Sequence, residues 1–90
     1  MPEPSPNPFS ETTHLTYRVM AATSQPVTIQ VYNVAGRMVR NLVKESQAPG
    51  MHEAIWDGRD DTGQKMTRGV YFVRCAVGSQ RMNARVMYLR

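Results

Sequence analysis

An intramolecular disulfide framework is excluded at once, because the 90 residues contain a single cysteine, Cys75. It lies inside a strand-forming run, where cysteine acts as a small buried hydrophobe. No base is identifiable near it to make it a nucleophile. No apolar stretch approaches the roughly 18 residues needed to span a membrane, so the chain is expected not to cross one. Nor is a secretory leader expected within these residues: Met1 is followed by Pro-Glu-Pro-Ser-Pro, not by a basic and then an apolar segment. If the protein is exported, its signal lies upstream in a longer parent chain. Helical periodicity is also absent. Met38, Val39 and Leu42 have helical spacing, but Gly36 and the β-rich neighbours favour a strand.

The usual catalytic constellations are lacking as well. There is no nucleophile elbow, His–Cys metal spacing or phosphate loop, and His14 and His52 are isolated on separate strands. Glu53 and Asp57 share a face of one strand but would lie roughly 13 Å apart along it, too far for a glycosidase pair. The expectation is a protein that is not an enzyme and needs no cofactor. Nine Arg and two Lys oppose seven acids, giving a formal charge of +4. The cations are dispersed and form no run, which permits weak attraction to acidic surfaces without identifying one. Arg68 to Cys75, RGVYFVRC, partly matches the RNP1 pattern of RNA-recognition domains. It lacks the aromatics at the third and last positions that stack on bases, and the chain lacks the helices of that fold. Nucleic acid is therefore not an expected partner.

What is present is a series of short strands. At 41% hydrophobic and 20% charged residues, the chain suits one globular domain, burying about 60–65% of its unfolded surface. Residues 1–9, MPEPSPNPF, hold four of the six prolines and read as an extended entry or linker that Phe9 anchors. The domain proper is residues 10–90. Thr12 to Met20 alternates, with Leu15, Tyr17 and Val19 on one face. Val27, Ile29 and Val31 form a second alternating strand. Asn33-Val34-Ala35-Gly36 has the form of a type I turn followed by a glycine bulge, leading into a third strand from Arg37 to Val43. Lys44 to Gly50 is polar and turn-like. His52 to Asp57 is the fourth strand, with Ala54 and Trp56 sharing a face. Gly69 to Val77 is the fifth, with Tyr71, Val73 and Cys75 as the core face and Phe72 over a sheet edge or under a loop. Arg81 to Arg90 is the last. Six short strands with turns between them mean an all-β antiparallel sandwich.

Between the fourth and fifth strands lies DGRDDTG. Asp57, Asp60 and Asp61 could offer oxygen ligands to calcium, but the spacing is not that of an EF-hand, and Arg59 would oppose a cation. The favoured reading is a structural loop in which Asp57 and Asp61 cap turns while Gly58 and Gly63 take positive φ.

The order of these signals resembles a known family. It comprises Asn7-Pro8-Phe9, the VYNVAGRMVRNLV hairpin (Val31 to Val43), Pro49-Gly50, WDGRDDTG (Trp56 to Gly63), Gly69-Val70-Tyr71-Phe72, and a last strand ending in a basic residue. Together these resemble the C-terminal sorting domains of type IX secretion substrates and the related immunoglobulin-like domain of flagellar hook-capping proteins. The resemblance implies an immunoglobulin-like β-sandwich of six to seven strands. It implies a non-catalytic signal attached to an N-terminal cargo, passing through the periplasm to the cell surface or medium. Its partners would be the type IX translocon and a sortase-like peptidase. The family's signal maps onto Gly69, Val70 and Tyr71 and onto Arg85, Val86, Met87, Tyr88, Leu89 and Arg90. Arg stands where the family often has Lys, and Tyr88 where it more often has an aliphatic residue. A terminal strand at a sheet edge would present unpaired backbone to a partner, with Met82, Val86, Met87 and Leu89 supplying contacts. The alternatives are an accessory module for carbohydrate or cell-surface binding and a hook-capping assembly domain.

Overall fold

The structure, a computed structural model, describes residues 3–89. Met1 and Pro2 of the entry segment, and Arg90 of the candidate signal, lie outside the described residues. Six strands appear in order: β1 (Thr13–Val19), β2 (Gln25–Tyr32), β3 (Met38–Gln47), β4 (Gly50–Trp56), β5 (Gly69–Val77) and β6 (Gln80–Tyr88). No helix occurs among the described residues. The strands form two sheets, β1-β4 and β3-β2-β5-β6, with every strand pairing antiparallel. The fold is thus the all-β sandwich that the period-two alternation implies.

The core lies between the sheets. Leu15, Tyr17, Val19, Ala54 and Trp56 from the small sheet face Val27, Ile29, Val31, Tyr71, Val73, Cys75, Val86 and Tyr88 from the large one. A two-stranded sheet is marginal by itself, so β1 and β4 depend on this shared interior. An aromatic cluster closes one end. Trp56 meets Tyr71 edge-on at 5.1 Å between centroids, and Phe9 stacks on Tyr88 at 5.0 Å. The indole N–H donates to the Arg59 carbonyl at 2.9 Å, which satisfies the polar tip of the buried ring.

Two turns follow from their glycines. Gly36 N–H donates to the Asn33 carbonyl with φ +82°, and the Asn33 side chain accepts from Ala35 and Arg37 N–H, the expected turn and bulge. Gly78 sits at the first central position of the β5–β6 hairpin with φ +58°, as a type II′ turn requires. One expectation about extent fails. Lys44 to Gln47, expected as turn, continues β3 opposite Gln25 to Thr28. Pairing along the whole of β2 holds the polar residues in the ladder despite their weak strand preference.

The entry segment runs across the end of the sandwich. Ser5 pairs with His14 of β1, and Phe9 pairs in parallel with Tyr88 of β6. Pro4 and Phe9 are buried, and the Thr13 hydroxyl donates to the Pro6 carbonyl at 2.8 Å. The segment therefore touches both sheets.

Candidate recognition surface

The β5–β6 hairpin fixes which parts of the terminal strand can be touched. Gly69 lies opposite Tyr88, Val70 opposite Met87, and Tyr71 opposite Val86. Side chains alternate across a strand. Tyr71, Val86 and Tyr88 therefore point into the core, at 4%, 0% and 1% exposure. Arg85, Met87 and Leu89 point outward. Gly69, Met87 and Leu89 meet with Arg68 in a shallow depression that Tyr88 also lines, and Val70 is half-buried. The candidate signal thus divides into an inner set that holds the strand and an outer set that a partner can reach. Of the proposed contact residues, Val86 belongs to the inner set, and Met82 is half-buried.

Tyr71 has a second task. Its hydroxyl donates to the Thr67 carbonyl at 2.6 Å, four residues upstream near the start of β5. This is the tyrosine corner found in immunoglobulin-like sandwiches, and it fixes the chain's entry into β5 beside the candidate surface.

The backbone edge of β6 is not open where an open edge was expected. Asn7 Nδ2 donates to the Arg85 carbonyl at 2.8 Å, and Met87 N–H donates to Asn7 Oδ1 at 3.0 Å. Phe9 N–H then donates to the Met87 carbonyl, and Leu89 N–H to the Phe9 carbonyl. One amide side chain supplies the donor and acceptor that a neighbouring strand would offer. The entry segment has already taken the edge from Arg85 to Leu89. Outward backbone groups of β6 at Arg81 and Asn83, placed by the alternation of the ladder, remain beyond its reach.

The acidic loop performs the same service at the opposite edge of the large sheet. Asp61 N–H donates to the Val39 carbonyl, and Asn41 N–H donates to the Asp61 carboxylate at 3.0 Å. This corrects the expectation that Asp61 caps a turn. The turn caps are Asp57, which accepts from Arg59 N–H at 3.1 Å, and Asp60, which accepts from Thr62 N–H, the Thr62 hydroxyl and Gln64 N–H. Gly58 and Gly63 do take positive φ, +75° and +91°. Arg40 binds the loop together, donating from Nη1 to Asp57 at 2.9 Å and to the Arg59 carbonyl at 3.0 Å. No three His, Cys, Asp or Glu side chains are grouped to hold a metal ion among the described residues.

The loop's hydrogen bonds shift its carboxyls. Burial pushes the Asp57 carboxyl up, but the Arg59 N–H and the Arg40 guanidinium outweigh it and hold it below the usual aspartate range. The Thr62 hydroxyl, with backbone donors, holds Asp60 down in the same direction. Burial alone pushes the Cys75 thiol up, which keeps it protonated and unreactive. Glu53 and Asp57 do not converge: Glu53 pairs with His14 at 3.3 Å, while Asp57 turns to Arg40.

Sequence reasoning did not assign roles to Asn7 or Arg40, and it gave Gly58 a positive φ without its packing against Tyr88. Asn7 was visible as part of an Asn-Pro-Phe motif, but nothing local says that its amide reaches a residue 78 positions away.

Two facing antiparallel sheets, a tyrosine corner and an entry segment that pairs with both sheets define an immunoglobulin-like domain. The sequence profile described as the FlgD Ig-like domain matches residues 6–80, and the chain belongs to that family. No curated protein gives a significant sequence match. Solved structures resemble the fold at low identity. PorZ, an essential bacterial surface component of the type IX secretion system of Porphyromonas gingivalis, aligns over 99% of this chain at 17% identity and TM-score 0.68. Dimeric latent PorU from the same organism aligns over 98% at 20% identity and TM-score 0.71. The alkylpurine DNA glycosylase AlkC of Pseudomonas fluorescens, solved bound to DNA containing an abasic-site analogue, aligns over 99% at 17% identity and TM-score 0.62. The chain spans 11% of the PorZ chain, 9% of the PorU chain and 29% of the AlkC chain.

Proposed function

We propose that this domain is a non-catalytic sorting module for a cargo protein exported through a type IX outer-membrane translocon, and that it is recognised through its last strand. The observation that carries this reading is the division of β6. Val86 and Tyr88 anchor the strand in the core, so Arg85, Met87 and Leu89 are displayed in fixed register beside Gly69 and Val70. A folded domain can then show the same short pattern whatever cargo precedes it. The likeness to PorZ adds support at the level of fold. Backbone recognition by strand addition, if used, is limited to the stretch around Arg81 to Asn83. The Arg85 to Leu89 surface is read through side chains. The partners are the translocon and a sortase-like peptidase, and the cargo reaches the cell surface or medium.

The test is a reporter with an inner-membrane signal peptide at its start and these 90 residues at its end, in a bacterium with a working type IX system. Reporter outside the cell that disappears when the translocon is deleted supports the reading. Met87→Asp/Leu89→Asp should leave the domain folded and trap the reporter in the periplasm. A wild-type reporter retained there, while a known substrate's tail is exported from the same host, overturns the reading.

The family match favours a second reading, an assembly domain like that of flagellar hook-capping proteins. Its mark would be incorporation of the domain into a multisubunit structure, with no effect of translocon deletion.

A further inference from the structure

The outer face of the large sheet carries an uneven distribution of charge. Its outward positions, set by the registers Thr28–Lys44, Gln30–Arg74, Phe72–Arg85 and Ala76–Arg81, hold Lys44, Arg74, Arg81 and Arg85. None of the seven acids falls on it. Glu3 and Glu11 belong to the entry side, and Glu45 lies opposite core-facing Val27. Glu53 pairs with His14, and Asp57, Asp60 and Asp61 are in the loop beyond β4. These four cations equal the formal charge of the whole chain, +4. None of them forms an ion pair among the described residues, where the arginine paired with carboxylates is Arg40.

The same face holds a shallow open depression floored by Phe72 and bordered by Tyr32, Val34, Arg74 and Asn83. Phe72 is 42% exposed, a ring available on one side. Tyr32 is engaged: Arg74 lies 4.8 Å above its ring, and its hydroxyl donates to Gln30. That stacking leaves the guanidinium edge of Arg74 to donate outward. Arg81, Asn83 and Arg85 follow at alternate positions of β6, about 7 Å apart along the strand.

From these features we propose that the outer face of β2, β5 and β6 binds an acidic polysaccharide. Phe72 packs against the apolar face of a sugar ring, Asn83 bonds hydroxyls, and Arg74, Arg81 and Arg85 pair with the polymer's anionic groups. Charge complementarity selects an anionic ligand. Single-stranded nucleic acid is disfavoured because it requires successive free aromatic platforms, and here Tyr32 is covered, leaving Phe72. An anionic bilayer is disfavoured because insertion needs a broad set of protruding apolar side chains, and the depression offers Phe72, 42% exposed, with Val34 at its border. The site shares Arg85 with the export surface, but it is tested at Phe72, Arg74 and Arg81 and the export reading at Met87 and Leu89, so the two fail separately.

The experiment is titration of the 90-residue chain with polygalacturonate, neutral dextran and oligodeoxythymidylate at one ionic strength. Binding is expected to polygalacturonate and not to dextran. Arg74→Gln/Arg81→Gln should weaken it by about tenfold or more, as loss of charge-assisted contacts requires. Phe72→Ala should weaken it at unchanged charge. Arg18→Gln/Lys65→Gln, which removes the same charge from elsewhere, should change it less than about twofold. All these side chains are exposed, and circular dichroism verifies folding of each variant. Equal weakening by the two double variants would reduce the effect to net charge and overturn the site. No binding to polygalacturonate, equal binding to dextran, or tighter binding to oligodeoxythymidylate would also overturn it.

Discussion

Tyr88 occupies the space that a side chain on Gly58 would need. A Cβ built on Gly58 would lie 2.5 Å from Tyr88 Cζ and 2.9 Å from its hydroxyl oxygen. The loop after β4 is thus laid directly on the ring that anchors the last strand. Gly58→Ala adds this clash to a φ of +75° that disfavours any side chain. The change should destabilise the domain by about 2–4 kcal/mol. Gly63→Ala has φ +91° and nothing within 4 Å, so it should cost only about 1 kcal/mol. Denaturant melts of both, with Gly58→Ala repeated in a Tyr88→Leu background, check this. The double variant should be more stable than the sum of the single costs allows.

Asn7 and Asp61 close opposite edges of one sheet, and their removal should be felt locally. Asn7→Ala leaves Met87 N–H and the Arg85 carbonyl without their partner. Asp61→Ala removes the acceptor of Asn41 N–H. Each should cost about 1 kcal/mol, and the two should add because they share no partner. Amide hydrogen exchange should quicken at Met87 in the first variant and at Asn41 in the second. Uniform change across the domain would contradict this.

Acid should loosen the loop before the sandwich. Asp57 and Asp60 are held below their ordinary range in the folded protein. Their contribution is complete above the unfolded aspartate value of about 3.9 and is lost as pH falls through the depressed folded values. The melting temperature should therefore hold from neutral pH to about 5 and fall below about 4. Asp57→Asn should lower it at pH 7, and the combined Asp57→Asn/Asp60→Asn variant should have a flatter acid limb. An unchanged acid limb in that variant would show that other carboxyls govern the transition.

Cys75, buried between the sheets with its thiol pushed up, should react with a thiol reagent at pH 8 only as fast as the domain opens. Complete reaction in denaturant and protection in buffer are expected. Rapid labelling of the folded protein would refute the burial.

The sandwich was legible because alternation is a local property. Leu15-Tyr17-Val19 and Tyr71-Val73-Cys75 each show a period of two, and all of these residues are in the core. The Asn33 to Gly36 turn was legible for the same reason, since its bonds join residues within four positions of one another. Lys44 to Gln47 was not, because its strand state comes from pairing with β2 rather than from its own polar residues. The loop was half-legible. Asx-type capping is visible in DGRDDTG, but whether Asp60 or Asp61 caps depends on where β3 passes, far away in sequence. At the candidate surface, the core face of β5 already implied that Tyr71 is turned inward. The register with β6 then assigns Val86 and Tyr88 to the core and Met87 to the surface.

The parallel pairing of Phe9 with Tyr88 bears on mechanical load. The entry segment and β6 run in the same direction, so the start of one and the end of the other leave the pair at opposite ends. Traction between a body joined ahead of Ser5 and a grip beyond Leu89 would pull the two segments past each other lengthwise. The bonds of Asn7 with Arg85 and Met87, and of Phe9 with Met87 and Leu89, would then be strained together in shear instead of peeling in turn. A domain tied in this way resists being drawn out from its ends.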